Sequence, residues 1–317
     1  MRREVIEELV EKMSIKGDLF VDEHLEAELG AIMRSNSESV EIFKAKRPLR
    51  PFCLSRYEGQ GLISLTYDDG QLNNYVSAAP LHLRYGIPAN FAVVAKHLLQ
   101  SSDSSGFMTP RMCRILVELG FEISSHGLLH SKFLHDMTLK ELHQEAYLSR
   151  SVIERVIGVP GSVQTYCVPF SRIGSLHADY LHNYYPIVRQ AGKALNDIPI
   201  RPRRCISSFP LTKDVSLETI KELINDAIEN QRALVLLLHG ISVNGRRPDE
   251  HEISEQLLDQ ILCYISKRGP RLILPVRLSE YQKITRTAVR GAQRRRARHA
   301  FFRNIRENWL SFMIRQP

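Results

Sequence analysis

From residue 61 onward, the sequence alternates short apolar segments with longer amphipathic ones. GLISLTY and RALVLLLHG are typical of buried strands, whereas TLKELHQEAYLSRSVIERVIG repeats its apolar residues at helical spacing. Strands that alternate with helices of roughly 10 to 20 residues form βαβ units, which build a parallel sheet, either open or closed into a barrel. The sequence therefore predicts an α/β domain with parallel strands.

The predicted elements follow one another without an internal repeat. Thr109 and Pro110 are typical of a helix start, and Gly120 and Gly158 are typical of helix ends. The predicted strands are 61–67, 87–95, 121–126, 162–170, 204–211, 232–240 and 271–276. The predicted helices run from just after Gly70 to about Tyr85 and over 109–120, 138–158, 177–192, 216–231 and 252–269.

Two flanking segments are predicted outside the main domain, which we place at residues 51–285. Residues 1–50 are predicted to form a helical extension that ends in the basic, proline-containing connector KAKRPLRPF. Residues 286–317 contain nine arginines and one acid, Glu307, and so account for the whole net charge of +8. The charge of the main domain gives no sign of a polyanionic partner.

The C-terminal segment is predicted to be a basic amphipathic helix. Phe301, Phe302, Ile305, Trp309 and Phe312 fall near one stripe, and arginines cover the remaining surface. This pattern is typical of a helix that lies on an anionic membrane surface. Packing of the stripe on the domain or on a second subunit is an equally weighted alternative, while nucleic-acid binding and disorder are less favoured.

Cysteine usage and hydropathy give an expected location. The five cysteines are widely spaced, odd in number and without a CxxC pair, which favours neither a disulfide framework nor a cysteine zinc site. The N-terminus is amphipathic and unlike a signal peptide, and no stretch approaches the roughly 18 apolar residues of a membrane span. We therefore expect a cytoplasmic protein, peripheral on the inner face of the membrane if the C-terminal segment binds lipid.

Polar residues follow several of the predicted strands. In parallel α/β folds, functional groups collect where the carboxyl ends of the strands meet the following loops. We therefore expect these residues to lie on one face of the domain, although they are far apart in sequence. The polar residues are Asp68, Asp69, His126, His130 and His239, and the pair Pro169 and Phe170 follows another of these strands.

The spacing of His126 and His130 suits two metal ligands. If a helical turn starts near His126, both imidazoles project from the same side. Gly127 stands where the zinc-protease motif HExxH has its glutamate, so the base would have to come from elsewhere. In the alternative interpretation, one histidine caps a turn and the other is exposed or satisfied by a neighbour.

The adjacent carboxylates Asp68 and Asp69 complete this hypothesis. One can be the third ligand of a two-His, one-Asp site with an open position, while the other accepts a proton from water. A dication would offset the repulsion between the two charges. Taken alone, DDG also fits a simple strand-to-turn transition.

These segments resemble the polysaccharide deacetylase family, also called the NodB homology domain. TYDDG, HGLLH and LLLHG are similar to its first, second and fifth motifs, in the same order, over roughly residues 60 to 275. IPANFAVVA is similar to a strand that commonly follows the first motif, and YCVPF to a variant of the third motif. The resemblance implies a distorted, incomplete (β/α) barrel.

The resemblance also implies roles for individual residues. It makes Asp68 the general base and His239 the general acid. Asp69, His126 and His130 would hold one divalent metal, usually Zn²⁺, with Co²⁺ or Ni²⁺ as alternatives. The backbone N–H of Phe170 would help to stabilise an oxyanion.

Two features of the family pattern are not found at the corresponding positions. The third motif usually supplies an arginine that orients the base, but Tyr166 or Gln164 stands in that neighbourhood, and Arg172 lies just beyond. The fourth motif usually supplies an aspartate and an apolar lid, often Trp. The only Trp of the chain is Trp309, and Asp197 and Asp214 are weak candidates for the aspartate. His135 is predicted to lie on the surface, and Cys167 in the core.

The expected function is a metal-dependent hydrolase that removes an N-acyl group, acetyl first among candidates, from a sugar or sugar conjugate. A nucleotide-linked, lipid-linked or small soluble saccharide suits a cytoplasmic enzyme. The alternatives are hydrolysis of an O-acetyl ester or a non-sugar amide, and a non-catalytic sugar-binding or scaffold protein.

Overall fold

The computed structural model of the protein describes residues 48–50, 53, 56–100, 106–242 and 245–295. The strands are β1 (Gly61–Tyr67), β2 (Asn90–Val93), β3 (Glu122–Ser125), β4 (Thr165–Cys167), β5 (Ile187–Ala191), β6 (Ile206–Pro210), β7 (Ala233–Leu238), β8 (Ile241–Ser242), β9 (Ile253–Ser254) and β10 (Ile273–Pro275). The α-helices are α1 (Ala79–Tyr85), α2 (Ala95–Gln100), α3 (Pro110–Glu118), α4 (Leu139–Ile157), α5 (Ser175–Leu181), α6 (Leu217–Glu229) and α7 (Glu255–Arg268). Residues 286–295 are also helical.

Strands β1 to β7 form a closed ring in which every neighbouring pair is parallel. The ring closes because β7 pairs with β1 along its length, from Leu62 opposite Ala233 to Tyr67 opposite Leu238. On its other edge, β1 pairs first with β10 and then, at Thr66 and Tyr67, with β2. The protein is thus a distorted barrel with seven strands in its ring, and the predicted fold is confirmed.

Side chains of the strands alternate between two apolar clusters. Val235 and Cys167 belong to a cluster inside the ring, whereas Leu234, Leu236 and Tyr166 belong to the larger cluster under the surrounding helices. This alternation is what a strand buried on both faces requires. Cys167 is a core residue as predicted, and burial raises the pKa of its thiol to about 12.

The helix signals in the sequence have the expected geometry. The Thr109 hydroxyl accepts a hydrogen bond from the Met112 N–H at 3.4 Å and so caps α3. The side chains of Thr138 and Glu141 form a capping box at the start of α4, and Gly158 ends that helix with a φ of 71°. Both predicted helices are confirmed.

The predicted helix over 177–192 is wrong in its second half. The helix α5 ends at Leu181, and residues 187–191 form β5 between β4 and β6. The reason is Pro186, which lacks the N–H needed to continue a helix and disfavours helical backbone at the residue before it. This strand carries Arg189 into the barrel, with consequences for the site.

The helix of residues 286–295 packs at the amino-terminal end of the barrel. Ala292 is buried in the inner cluster, and the Arg295 guanidinium donates to the Tyr57 carbonyl at 3.1 Å. The preceding turn lies at the same end, since Leu278 N donates to Asn90 Oδ1 at the start of β2. The first part of the C-terminal segment therefore packs on the barrel, at the end opposite the carboxyl ends of the strands.

The remaining predictions for the flanks lie outside the described residues. They concern residues 1–47 and 296–317, so the boundaries at 50 and 285 stay predictions. Within the ranges that the structure describes, no helix combines the length and apolar character needed to cross a bilayer.

Candidate active site

Three strand ends bring the predicted site residues together. Asp68 follows β1, His126 follows β3 and His239 follows β7, all at the carboxyl end of the barrel. The β1 and β7 ends are tied by a hydrogen bond from Asp68 N to the Leu238 carbonyl at 2.9 Å. Residues as far apart in the sequence as Asp68 and His239 therefore lie together at one end of the barrel.

Asp68 is buried, with only 2% of its surface exposed, and its partner is Arg189. An Arg189 guanidinium nitrogen donates directly to Asp68 Oδ1. Arg189 is completely buried, and although burial would lower its pKa, the Asp68 charge raises it further above its ordinary value. The pair is therefore an ion pair within the barrel that fixes one oxygen of Asp68.

Asp69 lies on the other side of the strand end, between two histidines. Its Oδ1 lies 3.5 Å from His126 Nε2 and 3.7 Å from His130 Nε2. Ligand atoms of the three residues all lie within 4.8 Å of one another. Asp69 has a φ of 70°, an uncommon value for a residue other than glycine, and Gly70 follows with 67°. This left-handed turn aims Asp69 at the histidines while Asp68 points to Arg189.

His126 is held so that one ring nitrogen faces Asp69. Its Nδ1 lies 2.8 Å from the Cys167 carbonyl oxygen, which can only accept, so Nδ1 carries the proton and donates. The Nε2 lone pair is then free to bind a metal, a common arrangement for metal-binding histidines. The backbone N–H of His126 donates to the Val93 carbonyl and fixes the start of the loop.

The backbone after His126 is not a helical turn. Residues 126–130 form a bend in which Gly127 has a φ of 87° and His130 a φ of 52°. The bend still brings the two imidazoles together, with ring centroids 4.9 Å apart. Buried Glu145 of α4 supports it, because its Oε1 accepts a hydrogen bond from Leu128 N at 2.6 Å.

The charges of the site depend on one another. Burial would raise the pKa of Asp69, but the hydrogen bond from His126 and the charges of His126, His239 and His130 hold it well below its ordinary value. Burial would lower the pKa of His126, yet Asp68 and Asp69 raise it. The pKa of His130 is lowered, mainly by burial. Two carboxylates thus give the site a negative character that favours a cation.

His239 lies at the same end of the barrel, directly after β7. Its Nδ1 is buried and has no hydrogen-bond partner among the described residues. Burial lowers the pKa of His239. Its ring centroid lies 5.3 Å from that of His251, an exposed residue next to β9. His239 is therefore held without the carboxylate that the resemblance leads one to expect.

Phe170 lies in a short 3₁₀ turn after β4. Its φ of 53° and that of Ser171, 56°, place two successive residues in the left-handed region. The Phe170 ring lies against His130 with centroids 4.4 Å apart. The loop thus brings the Phe170 side chain next to the predicted metal ligand His130.

Arg189 is the site residue that sequence reasoning missed. The segment PIVRQA belongs to the predicted helix 177–192, and that prediction puts its arginine on no strand. Two signals could have identified it: Pro186, which stops the helix, and the apolar pair Ile187 and Val188 beside a single arginine. A lone arginine in a buried strand needs a buried acid, and Asp68 is that acid.

Four other candidates lie elsewhere. The Arg172 guanidinium lies over the Phe133 ring, 5.3 Å from its centroid. Asp197 pairs with Arg232 at 3.0 Å near the start of β7, at the opposite end of that strand from His239. His135 is exposed, as predicted, and Asp214 is exposed as well.

Residues 56–185 match the family model described as polysaccharide deacetylase. The matched part of the chain is similar to polysaccharide deacetylase domains. The resemblance noted in the sequence is thereby confirmed, and the matched residues include Asp68, Asp69, His126, His130 and Phe170. Arg189 and His239 lie beyond the match, on the remaining strands of the same barrel. Among curated proteins, none matches this chain significantly.

The chain is also similar to solved structures. A protein from Mycobacterium smegmatis with a provisional polysaccharide deacetylase assignment has a TM-score of 0.51 at 12% identity, covering 75% of this chain and 94% of that one. The structure of T48 deacetylase with substrate has a TM-score of 0.48 at 18% identity, covering 73% of this chain and 94% of that one. Peptidoglycan deacetylase PdaC from Bacillus subtilis has a TM-score of 0.45 at 18% identity, covering 76% and 98%.

The residues present fit a metal ion. Asp69, His126 and His130 offer one oxygen and two nitrogens, a donor set typical of catalytic zinc. The proton on His126 Nδ1 is fixed by the Cys167 carbonyl, which leaves Nε2 as donor atom. Three protein ligands around one point leave a further position open.

Proposed function

We propose that the protein is a metal-dependent hydrolase that removes an N-acyl group, with acetyl as the first candidate, from a sugar or sugar conjugate. One observation carries the proposal: the cluster of Asp69, His126 and His130 lies directly beside the buried pair of Asp68 and Arg189. This arrangement separates three ligands from one fixed carboxylate. The family membership of residues 56–185 supports a sugar substrate.

Asp68 is proposed as the general base. The Arg189 guanidinium binds Oδ1, which leaves Oδ2 directed to the metal cluster, 3.8 Å from His126 Nε2. A water between these groups would give its proton to Asp68 as it attacks the acyl carbon. Because Arg189 fixes the carboxylate, little reorganisation is needed at that step.

Asp69, His126 and His130 are proposed as the ligands of one Zn²⁺, with Co²⁺ or Ni²⁺ as alternatives. A divalent metal held there would polarise the acyl oxygen and make a bound water more acidic. The backbone N–H of Phe170 would donate a hydrogen bond to the same oxygen as it gains negative charge.

His239 is proposed as the general acid. Amide hydrolysis leaves an amine, which departs only when its nitrogen is protonated. His239 follows β7 at the same end of the barrel as Asp68. Burial lowers the pKa of His239, which makes its protonated form a stronger acid. An O-acetyl ester has a better leaving group and would depend less on His239.

The non-catalytic alternative loses its main argument through Arg189. In the sequence, its support was the missing arginine of the third motif together with the missing Trp of the fourth. Arg189 supplies a guanidinium to Asp68 instead. It lies on β5, the strand next to β4, which carries the third motif. A scaffold would have no reason to keep a buried ion pair next to three potential ligands, so we favour the enzyme.

The location and further partners are part of the proposal. We propose a cytoplasmic enzyme that acts on a nucleotide-linked, lipid-linked or small soluble saccharide and contacts a membrane surface through residues 286–317. Because residues 286–295 pack at the end opposite the site, membrane contact there would direct the site away from the lipid. Cell fractionation of the full chain, with and without residues 296–317, tests the location.

The first test is metal content together with acetate release. Elemental analysis of protein purified without a metal-affinity tag is expected to give about one zinc, cobalt or nickel per chain. The double variant Asp69→Ala, His126→Ala should lose the metal and all acetate release from N-acetylated sugars. Wild-type protein that stays free of metal after incubation with zinc would contradict the proposal.

A further inference from the structure

The connection between β5 and β6 differs from the other connections between successive strands of the ring. Each of the others contains a helix, whereas residues 192–205, all of which the structure describes, contain none. Pro199 and Pro202 lie in this connection and lack the N–H that a continuing helix needs. This side of the barrel therefore has no covering helix of its own, and a surface cavity of about 550 Å³ lies there.

This cavity, which we call the β5–β6 cavity, lies outside the ring. Side chains alternate along β5, so Arg189 contacts Asp68 inside the barrel and Gln190 lines the cavity. On β6, Ile206 belongs to the inner apolar cluster and Ser207 lines the cavity. The two strands therefore separate the β5–β6 cavity from the candidate active site.

The charged residues of the β5–β6 cavity are mostly arginines. Among the described residues, its lining contains four arginines but only two carboxylates, and no lysine, histidine or glutamate. Two positive charges are therefore uncompensated, on a concave surface that concentrates their field. The charged lining residues are Arg201, Arg203, Arg204, Arg232, Asp179 and Asp197.

Contacts within the protein hold two of these arginines in place. Arg232 donates to a backbone carbonyl at 2.8 Å and to Asp197 at 3.0 Å. Arg203 donates to the side-chain oxygen of Asn183, a neutral acceptor, at 2.5 Å. Arg204 is exposed, and its guanidinium has no hydrogen-bond or ion-pair partner among the described residues. The cavity thus combines fixed guanidiniums with positive charge that no protein group neutralises.

A cluster of guanidiniums is complementary to phosphate. The planar fork of an arginine can donate to two phosphate oxygens at once, which makes arginine the preferred residue for this group. A phosphate monoester carries a charge of about −1.5 to −2 at neutral pH and would neutralise the excess charge of the lining. The chemistry of the β5–β6 cavity therefore favours a phosphorylated ligand over a neutral one.

The β5–β6 cavity also has room for more than a phosphate group. Its volume lies within the range of about 300–1,000 Å³ that is typical of small-molecule sites, and Leu195 and Ile200 give it an apolar wall. We propose that the β5–β6 cavity binds a small organic phosphate, whose phosphate groups contact the arginines, at a site separate from the candidate active site. This proposal does not rest on the proposed function.

Binding of inorganic pyrophosphate tests the role of the arginines. The probe is titrated into the full chain and followed by isothermal titration calorimetry. The double variant Arg203→Gln, Arg204→Gln removes two positive charges of the cavity and should weaken binding at least about tenfold. The matched control, Arg247→Gln, Arg271→Gln, removes two exposed positive charges outside the cavity and should weaken it less than about twofold. Wild-type protein that does not bind pyrophosphate, or equal affinities in the two double variants, would overturn the proposal.

Cysteine labelling locates the bound anion in the wild-type protein, without any substitution. Cys205 lines the β5–β6 cavity, whereas Cys53 is exposed outside it. Saturating pyrophosphate should slow the reaction of Cys205 with N-ethylmaleimide severalfold and leave that of Cys53 unchanged, as measured by mass spectrometry of the labelled peptides. If Cys205 reacts equally fast with and without pyrophosphate, the anion binds elsewhere and the proposal is wrong. Neither measurement uses acetate release, so the outcome is independent of the proposed function.

Discussion

Arg189 of β5 donates a hydrogen bond to Asp68 at the end of β1, and both side chains are buried at the carboxyl end of the barrel. The two residues are 121 positions apart and belong to non-adjacent strands of the ring. If Asp68 is the general base, as proposed, it needs a partner that holds the carboxylate without protonating it. Arginine meets this condition because it stays charged at every working pH.

Replacing Arg189 should therefore affect both stability and turnover. The variant Arg189→Met leaves Asp68 buried without its partner, which we expect to lower the free energy of unfolding by about 3–5 kcal/mol. The double variant Asp68→Asn, Arg189→Met should regain much of that stability but no turnover, because the charge is removed together with the base. Urea unfolding and acetate release measure the two effects. An Arg189→Met variant as stable and as active as the wild type would contradict the role of the pair.

The variant Asp68→Asn should separate the base from the ligands. We expect turnover to fall at least about a thousandfold, because the amide cannot accept the proton from water. Zinc affinity should change little, since Asp69, His126 and His130 remain. The matched variant is Asp69→Asn, which should lose zinc affinity as well as turnover. If the two variants lose zinc equally, Asp68 is a ligand and another group must be the base.

Gly127 and Glu145 should depend on each other. A Cβ at Gly127 would lie 2.4 Å from Glu145 Oε1, and the φ of 87° disfavours any other residue. Gly127→Ala should therefore displace the carboxylate that holds Leu128 N and loosen the loop before His130. We expect zinc affinity to fall about tenfold in Gly127→Ala and in Glu145→Ala, measured by competition with a chelating dye.

A remote carboxylate provides the control for these two variants. Glu222 is exposed on α6, and Glu222→Ala should leave zinc affinity unchanged. The role of Glu145 would be refuted by a Glu145→Ala variant that unfolds at the wild-type urea concentration and binds zinc equally tightly.

His82 should make the protein less stable in mild acid. It is completely buried, its Nδ1 lies 3.0 Å from the Ile87 carbonyl and its Nε2 lies 2.8 Å from the Tyr67 hydroxyl. Burial lowers the pKa of His82 from 6.5 to about 4, so between these values the unfolded chain binds a proton that the folded chain does not. Stability should fall as the pH drops from 6.5 towards 4, by about 3 kcal/mol at most.

The measurement is the pH dependence of the unfolding free energy. His82→Gln removes the proton uptake of the unfolded state, so its stability should depend less steeply on pH over that interval, even if it is lower throughout. The exposed His135, replaced by Gln, is the control and should keep the wild-type slope. Parallel curves for His82→Gln and the wild type would show that His82 does not cause the acid sensitivity.

Much of the fold could be predicted because the signals are local. Thr109, Thr138 and Gly158 mark helix ends whose geometry depends on the nearest few residues, and all three behave as expected. The strand GLISLTY is apolar because both its faces are buried. The parallel order follows from the alternation of strands with helices. Where a local signal was overlooked, at Pro186, the prediction failed.

The sequence by itself determined which residues can form a metal site: DDG after β1 and HGLLH after β3 specify the ligand types and the strand ends on which they lie. Only the tertiary structure decided how they meet. Closure of the ring carries Arg189 from β5 to Asp68, which no spacing in the sequence records, because the pairing depends on strand order and on which face a side chain takes. The bend that joins His126 to His130 likewise depends on Glu145, a residue of the following helix. Contacts between distant segments arise from packing, and packing is a property of the whole chain.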